Sequence, residues 1–163
     1  MQTIRNRWTD VVFTRMFNVS RQQMFNAWTD AKHVAKWWGP HGFTNPVCDW
    51  DATHLGNIYI DMTAPDGIVF PMTGYFHEIS APERVVFTSR AFETEDGTVQ
   101  LEVLNTVIFT NVNGKTKLTL EATIMKASPE VKNSLTEMQE GWNQSLDKLE
   151  DYLSKTDGTE ESQ

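Results

Sequence analysis

Four groups of side chains carry the chemistry that this sequence offers. The first is His33, Trp37, Trp38 and His41, crowded into AKHVAKWWGPHG. An imidazole such as His41 titrates near neutrality and can pass a proton if it points inward, although beside Gly42 it also reads as an ordinary loop histidine. The Trp-Trp-Gly-Pro run reads two ways: a turn with one ring plugging the core, or a lid whose Trp38, with Phe43, touches a guest. The second group is Asp49, Asp51 and His54. Carboxylates two apart on a strand share a face. They suit an acid and base pair or, with His54, a cation site, but the spacing fits no strong metal motif and surface roles suit it as well. The third is Cys48, a lone thiol without an activating neighbour, for which buried and inert is the default. The fourth is Asn105, in the alternation Val103, Asn105, Val107, Phe109. An amide on an apolar face must find partners or cost roughly 1–3 kcal/mol. Backbone, a water and a polar group of a ligand all qualify. Glu78, Glu83 and Arg84 read as strand-end residues with an ion pair among them, and His77 as facing outward.

Several reaction classes lack their signatures. There is no GxSxG, no HExxH, no P-loop and no GxGxxG ahead of a helix. A serine hydrolase, a zinc peptidase, a nucleotidase and a dinucleotide oxidoreductase are therefore not indicated, and neither a cofactor nor a metal is expected. One cysteine excludes an intrachain disulfide framework and a cysteine-based zinc site.

The elements that must position these groups follow from patterning. Residues 11–18 are apolar and β-prone, a first strand. Ser20 can cap a helix over RQQMFNAW with Gln23 as its reciprocal partner. Asp30 can cap a second short helix, stopped by Gly39-Pro40. From 43 to 125 the period is two, giving strands near 43–52, 56–63, 69–79, 84–93, 98–111 and 115–126. Turns are signalled by Pro65-Asp66-Gly67, Glu95-Asp96-Gly97 and Asn113-Gly114, and turns this short imply antiparallel pairing. Ser128 and Pro129 open a last helix to 154, on which Leu135, Met138, Trp142, Ser145, Leu146, Leu149, Tyr152 and Leu153 form one stripe. Gly141 in its middle reads either as close packing on the sheet or as room beside Trp142 for a guest.

Strand alternation predicts the inward faces: Ile58, Ile60 and Met62; Met72, Gly74 and Phe76; Val85 and Phe87; Val103, Asn105, Val107 and Phe109; Leu118, Leu120, Ala122 and Ile124. Val86 and Phe92 compete with the third set. The fold class expected is α+β, a curved antiparallel sheet of about seven strands wrapped on a long C-terminal helix. Two short helices lie between the first and second strands. Residues 1–154 form a single domain and 155–163 an acidic disordered tail, with residues 1–9 loosely held.

Composition sets the outer limits. The chain has 163 residues, 39% hydrophobic and 22% charged, with a net charge of −8. That acidic balance argues against nucleic-acid binding and against anionic membranes. No apolar run is long enough to span a bilayer and no signal peptide is visible, so a cytoplasmic domain is expected, which a lone thiol fits. Six Trp and nine Phe are many for this length. They imply a well-filled core or an aromatic-lined cavity.

The segments AWTDAKHVAKWWGPHGFT at 27–44, PDGIVFPMTGYFHEISAPERVVFT at 65–88, NGKTKLTL at 113–120 and GWNQSLDKL at 141–149 resemble the START-like (SRPBCC) helix-grip superfamily. Within it they are similar to the branch named for the activator of heat-shock protein 90 ATPase homologue. The resemblance spans about residues 11 to 154. It implies a seven-stranded sheet gripping the C-terminal helix over a hydrophobic pocket, and it leaves activity open, because one fold hosts many functions.

Three readings follow. In the first, the protein binds one small, largely apolar molecule, contacted by Trp38, His41, Phe43, Met62, Met72, Phe76, Phe87 and Trp142, with Asn105 as polar anchor. In the second, a cyclase- or hydrolase-like enzyme uses the same cavity, with inward polar groups such as His41 and Asn105 or Asp49. In the third, the partner is a chaperone, although the namesake's additional domain is not found in this chain. A homodimer through a sheet edge or an outward Trp8, Trp28 or Trp50 is a further expectation.

Overall fold

The computed structural model describes residues 11–129 and 135–156. The chain runs β1 (Val11–Phe17), α1 (Arg21–Thr29), α2 (Ala31–Trp37), β2 (Thr44–Trp50), β3 (Asn57–Thr63), β4 (Val69–Ser80), β5 (Arg84–Glu93), β6 (Val99–Val112), β7 (Lys115–Ala127) and α3 (Leu135–Thr156). Lys155 and Thr156, expected at the start of the acidic tail 155–163, continue α3; the remainder of that tail, Trp8 and residues 130–134 of the last helix lie outside the described residues.

Local chemistry accounts for the breaks. Ser20 Oγ accepts from the Gln23 N–H at 3.1 Å, and the Gln23 side chain accepts from the Ser20 N–H, a complete capping box. Asp30 Oδ1 accepts from the Lys32 N–H at 2.9 Å and starts α2. Asn113 and Gly114 both have positive φ, 54° and 86°. That is the two-residue turn that suits the twist of β6 and β7.

The strands make one antiparallel sheet in the order β1-β7-β6-β5-β4-β3-β2. Its concave face carries the side chains that alternation assigned inward, and all five sets hold. The competition on β5 has a structural cause. A bulge between Phe76 and Glu78 inserts His77, so the inward position passes from Phe76 to Ile79. His77 then covers Thr88 on the outer face, Nε2 to Oγ1 at 2.6 Å, and Val85, Val86, Phe87 and Thr88 are all buried. Phe92 leaves the alternation through a positive φ of 59° and is exposed. Gly74 marks a close approach of backbones: a Cβ there would sit 2.0 Å from Thr88 O.

Helix α3 lies across the concave face. Leu146, Leu149, Leu153 and Ser145 are buried, while Met138, Trp142 and Tyr152 are half-buried. Arg15 of β1 ties the helix to the sheet edge, its Nη1 2.8 Å from Asp147 Oδ1 and 3.4 Å from Glu150 Oε1. Helices α1 and α2 close one end with Met24, Phe25, Trp28, Val34 and Trp37. Trp28 and Trp50 were candidates for an outward dimer contact. They are 0% and 5% exposed, because the inward period of α1 and β2 points both rings into the core. Among the described residues, no helix is long and apolar enough to cross a membrane.

Candidate functional site

Between the sheet and α3 lies a cluster of aromatic rings with Trp38 at its hub. Its ring centroid is 5.7 Å from Trp37, 5.2 Å from Trp50, 6.2 Å from Phe87 and 5.2 Å from Trp142. Phe76 meets Trp50 at 5.2 Å and Phe87 at 5.8 Å. Trp142 also lies nearly parallel to Trp28 at 6.1 Å. Edge-on and tilted contacts at these distances suit the ring quadrupoles. Of the residues expected to meet a ligand, Trp38, Met72, Phe76, Phe87 and Asn105 are buried. Phe43, Met62 and Trp142 are half-buried, and His41 is exposed. Trp38, Phe76, Phe87 and Trp142 come together directly. Phe43 is set apart, against Phe70 at 6.0 Å.

The buried core falls into two clusters. The larger holds the aromatic rings. The smaller comprises Val11, Leu101, Val103, Ala122 and Ile124, with Phe13, Ala127 and Met138 packed on it. Asn105 sits on β6 at the seam, between Val103 of one cluster and Val107 of the other. It is 1% exposed and pairs across the sheet with Phe87 and Ala122. Its Nδ2 donates to Phe87 O at 3.3 Å, Ser89 Oγ at 3.1 Å and Val103 O at 3.4 Å. Its Oδ1 is buried and accepts no hydrogen bond among the described residues. Among the described residues three further side-chain atoms are in that state: Asn45 Oδ1 and Asp61 Oδ1, both acceptors, and Trp28 Nε1, a donor.

Beside the rings, α3 holds the 38–43 loop by its polar face. Gly39 N donates to Ser145 Oγ at 3.0 Å and His41 N to Gln144 Oε1 at 2.9 Å. Lys148 Nζ shares its three N–H donors among four carbonyls, of Trp38 and Pro40 at 3.2 Å and of Gly39 and Phe43 at 3.3 Å. Burial holds its pKa below the ordinary lysine value. Asn45 adds a bond from Nδ2 to Trp38 O at 2.9 Å. Sequence reasoning placed Ser145 on the stripe of the last helix and quoted Gln144 and Lys148 only as part of GWNQSLDKL. Their spacing puts them along one side of α3, but nothing in a sequence says that the bound surface is backbone carbonyls.

The groups a catalytic reading draws on do not converge. The His41 ring is exposed, its Nε2 3.6 Å from Asp147 Oδ2. Asp49 and Asp51 are exposed, and His54 Nδ1 lies 3.1 Å from His77 O. Among the described residues, no group of three or more His, Cys, Asp or Glu is placed to hold a metal. Two surface hollows, of about 660 Å³ at Thr94–Ser128 and 420 Å³ at Asn26–His33, are lined by none of the expected ligand residues. Gly141 is not pressed on the sheet, as a Cβ there would meet only Pro40 Cγ, at 3.8 Å.

A sheet gripping a C-terminal helix, with the WWGP loop fastened to that helix, is the geometry on which the comparisons bear. The model of the family described as "Activator of Hsp90 ATPase homolog 1-like protein" matches residues 18–154. The chain belongs to this family. Among solved structures, this Activator of Hsp90 ATPase homolog 1-like chain is similar to the AHSA1 protein from Silicibacter pomeroyi. The two are 27% identical, with a TM-score of 0.76 over 90% of this chain and 98% of that one. It is also similar to a protein from Arthrobacter aurescens, at 21% identity and a TM-score of 0.78 over 91% and 88% of the two chains. A third likeness is to Ms6760 from Mycobacterium smegmatis, at 21% identity and 0.75 over 90% and 91%. The last two, under a quarter identical, show the fold alone. No curated protein matches the sequence.

The single thiol of this Activator of Hsp90 ATPase homolog 1-like protein is half-buried on β2. Cys48 Sγ lies 3.8 Å from Ala31 O. Burial, and then the Asp49 charge, push its pKa up to about 11. Only the thiolate attacks. At pH 8, Cys48 is therefore expected to react with a disulfide reagent about an order of magnitude more slowly than free cysteine, whose pKa is about 8.5, because the scarcity of its thiolate outweighs that thiolate's greater nucleophilicity. Absorbance of the released thiol measures this, and a rate within a few-fold of free cysteine would show an accessible, activated sulfur.

Proposed function

We propose that this protein binds one small, largely apolar molecule between the sheet and α3, against Asn105. The observation that carries the reading is the buried Asn105 Oδ1 without a donor among the described residues, on the β6 face it shares with Val103, Val107 and Phe109. A native core seldom leaves a buried acceptor unmatched, since the group keeps its full desolvation cost. A polar group on a guest removes that cost. Phe87 and Val103 flank the amide, and Trp142, half-buried on α3, lies against Trp38, whose ring meets Phe87. Trp38, Phe76 and Met72 form the wall beyond Phe87. Phe43, Met62 and His41 lie towards the 38–43 loop, where a longer molecule reaches. A cytoplasmic setting belongs to the same reading.

Native mass spectrometry of the purified protein, followed by denaturing extraction, tests it. A discrete lipid-like or aromatic mass released on denaturation is the expected result. A bare chain mass, together with interior NMR signals that no apolar probe moves, would sink the proposal.

A further inference from the structure

Resting on that binding reading, the orientation of one amide says what kind of polar group the guest carries. Asn105 Nδ2 faces two main-chain carbonyls, Phe87 O at 3.3 Å and Val103 O at 3.4 Å. Carbonyls only accept, so the NH2 end of the amide must lie on their side. Turning the amide over would set Oδ1 against two oxygens. The assignment of nitrogen and oxygen is therefore fixed by the sheet, and Ser89 Oγ, at 3.1 Å, is also served from Nδ2. What remains is a buried acceptor alone, on a residue 1% exposed.

An acceptor is matched by a donor. A carboxylate would bring its own lone pairs and a charge against Oδ1, and a buried charge needs a counter-charge. The cations that bridge to α3 are committed: Arg15 to Asp147 and Glu150, and Lys148 to four carbonyls. We infer that Asn105 Oδ1 selects a neutral hydrogen-bond donor, so that the guest is an apolar alcohol or phenol rather than a fatty or aromatic acid. Its hydroxyl donates to Oδ1 while its carbon frame lies among Phe87, Val103 and Trp142.

Three probes of one shape test this: 2-naphthol, 2-methoxynaphthalene and 2-naphthoate. Each is titrated into the whole protein at neutral pH while the Asn105 side-chain amide and Trp142 indole signals are followed by NMR. The naphthol is expected to bind at least about tenfold more tightly than its methyl ether, the cost of leaving a buried acceptor unmatched. The naphthoate is expected to be weakest. In Asn105→Leu the preference for naphthol over the ether should shrink to within about twofold, as no acceptor is left to read the hydroxyl. Equal binding of naphthol and ether to the wild-type protein, or tightest binding of the naphthoate, would overturn the donor rule and leave apolar binding intact. If none of the three moves either signal, the binding reading itself falls, and the donor rule with it. The wild-type comparison decides the matter alone should Asn105→Leu fail to fold.

Discussion

Trp38→Ala is expected to lower the stability of the fold by about 3–5 kcal/mol, the range for deleting a large ring from a closed core. The ring is 5% exposed and is met by Trp37, Trp50, Phe87 and Trp142. Each neighbour belongs to a different element, α2, β2, β5 or α3, so no single movement can fill the hole. Incomplete relaxation of this kind is what puts a deletion at the costly end of the range. A domain of ordinary stability, about 5–15 kcal/mol, would then hold only a thin margin. Urea unfolding followed by far-UV circular dichroism measures the loss as a shift of midpoint at constant slope. The same measurement separates the two readings of the Trp-Trp-Gly-Pro run. A loss of about 3 kcal/mol or more marks Trp38 as a core plug. A loss below about 1 kcal/mol would mark its ring as a loose lid.

Lys148→Met is expected to cost about 2 kcal/mol and to free the 38–43 loop. The substitution keeps most of the apolar stem but removes the donor shared by four carbonyls, and hydrogen bonds from charged donors are worth about 1.5–3 kcal/mol. Faster hydrogen exchange at the amides of Gly39 and His41, which donate to Ser145 and Gln144, would report the release. Unchanged exchange and an unchanged unfolding midpoint would show that Ser145 and Gln144 suffice. The pH dependence has a definite sign. Burial lowers the Lys148 pKa, so between that lowered value and about 10.4 the folded chain binds fewer protons than the unfolded one. Stability contributed at this site therefore rises with pH through that window. Lys148→Met lacks the titration, so the gap between wild type and variant should widen as pH climbs from neutral towards 10.4. The ammonium is half exposed, and solvent screening keeps this slope modest.

Much of the scaffold was legible because it rests on short-range chemistry. Ser20 with Gln23, Asp30 with Lys32, and Asn113-Gly114 each satisfy backbone groups within a few residues. The inward faces were legible because a period of two is fixed by the pleat. Where a bulge breaks the period, as at His77, local reading stays ambiguous: Val85, Val86, Phe87 and Thr88 are all buried, and only the partner strand says why. The resemblance to the family rests on WWGP and GWNQSLDKL, which are contiguous motifs and so legible in the sequence alone. Asn105 was legible as an exception on an apolar face. The direction of its amide was not, since that depends on Phe87 O, eighteen positions away.

The sequence by itself determined the elements, their order, the face each strand turns inward and the stripe that α3 presents, because turn chemistry and periodicity act between near neighbours. Only the tertiary structure decided that Trp28 and Trp50 point into the core, that Lys148 fastens the WWGP loop, that His41 stays outside, and that Asn105 Oδ1 has no donor. Each of these is a contact between residues far apart in the chain. Their partners are fixed by how the sheet curls around the helix, and a one-dimensional pattern carries no term for that distance.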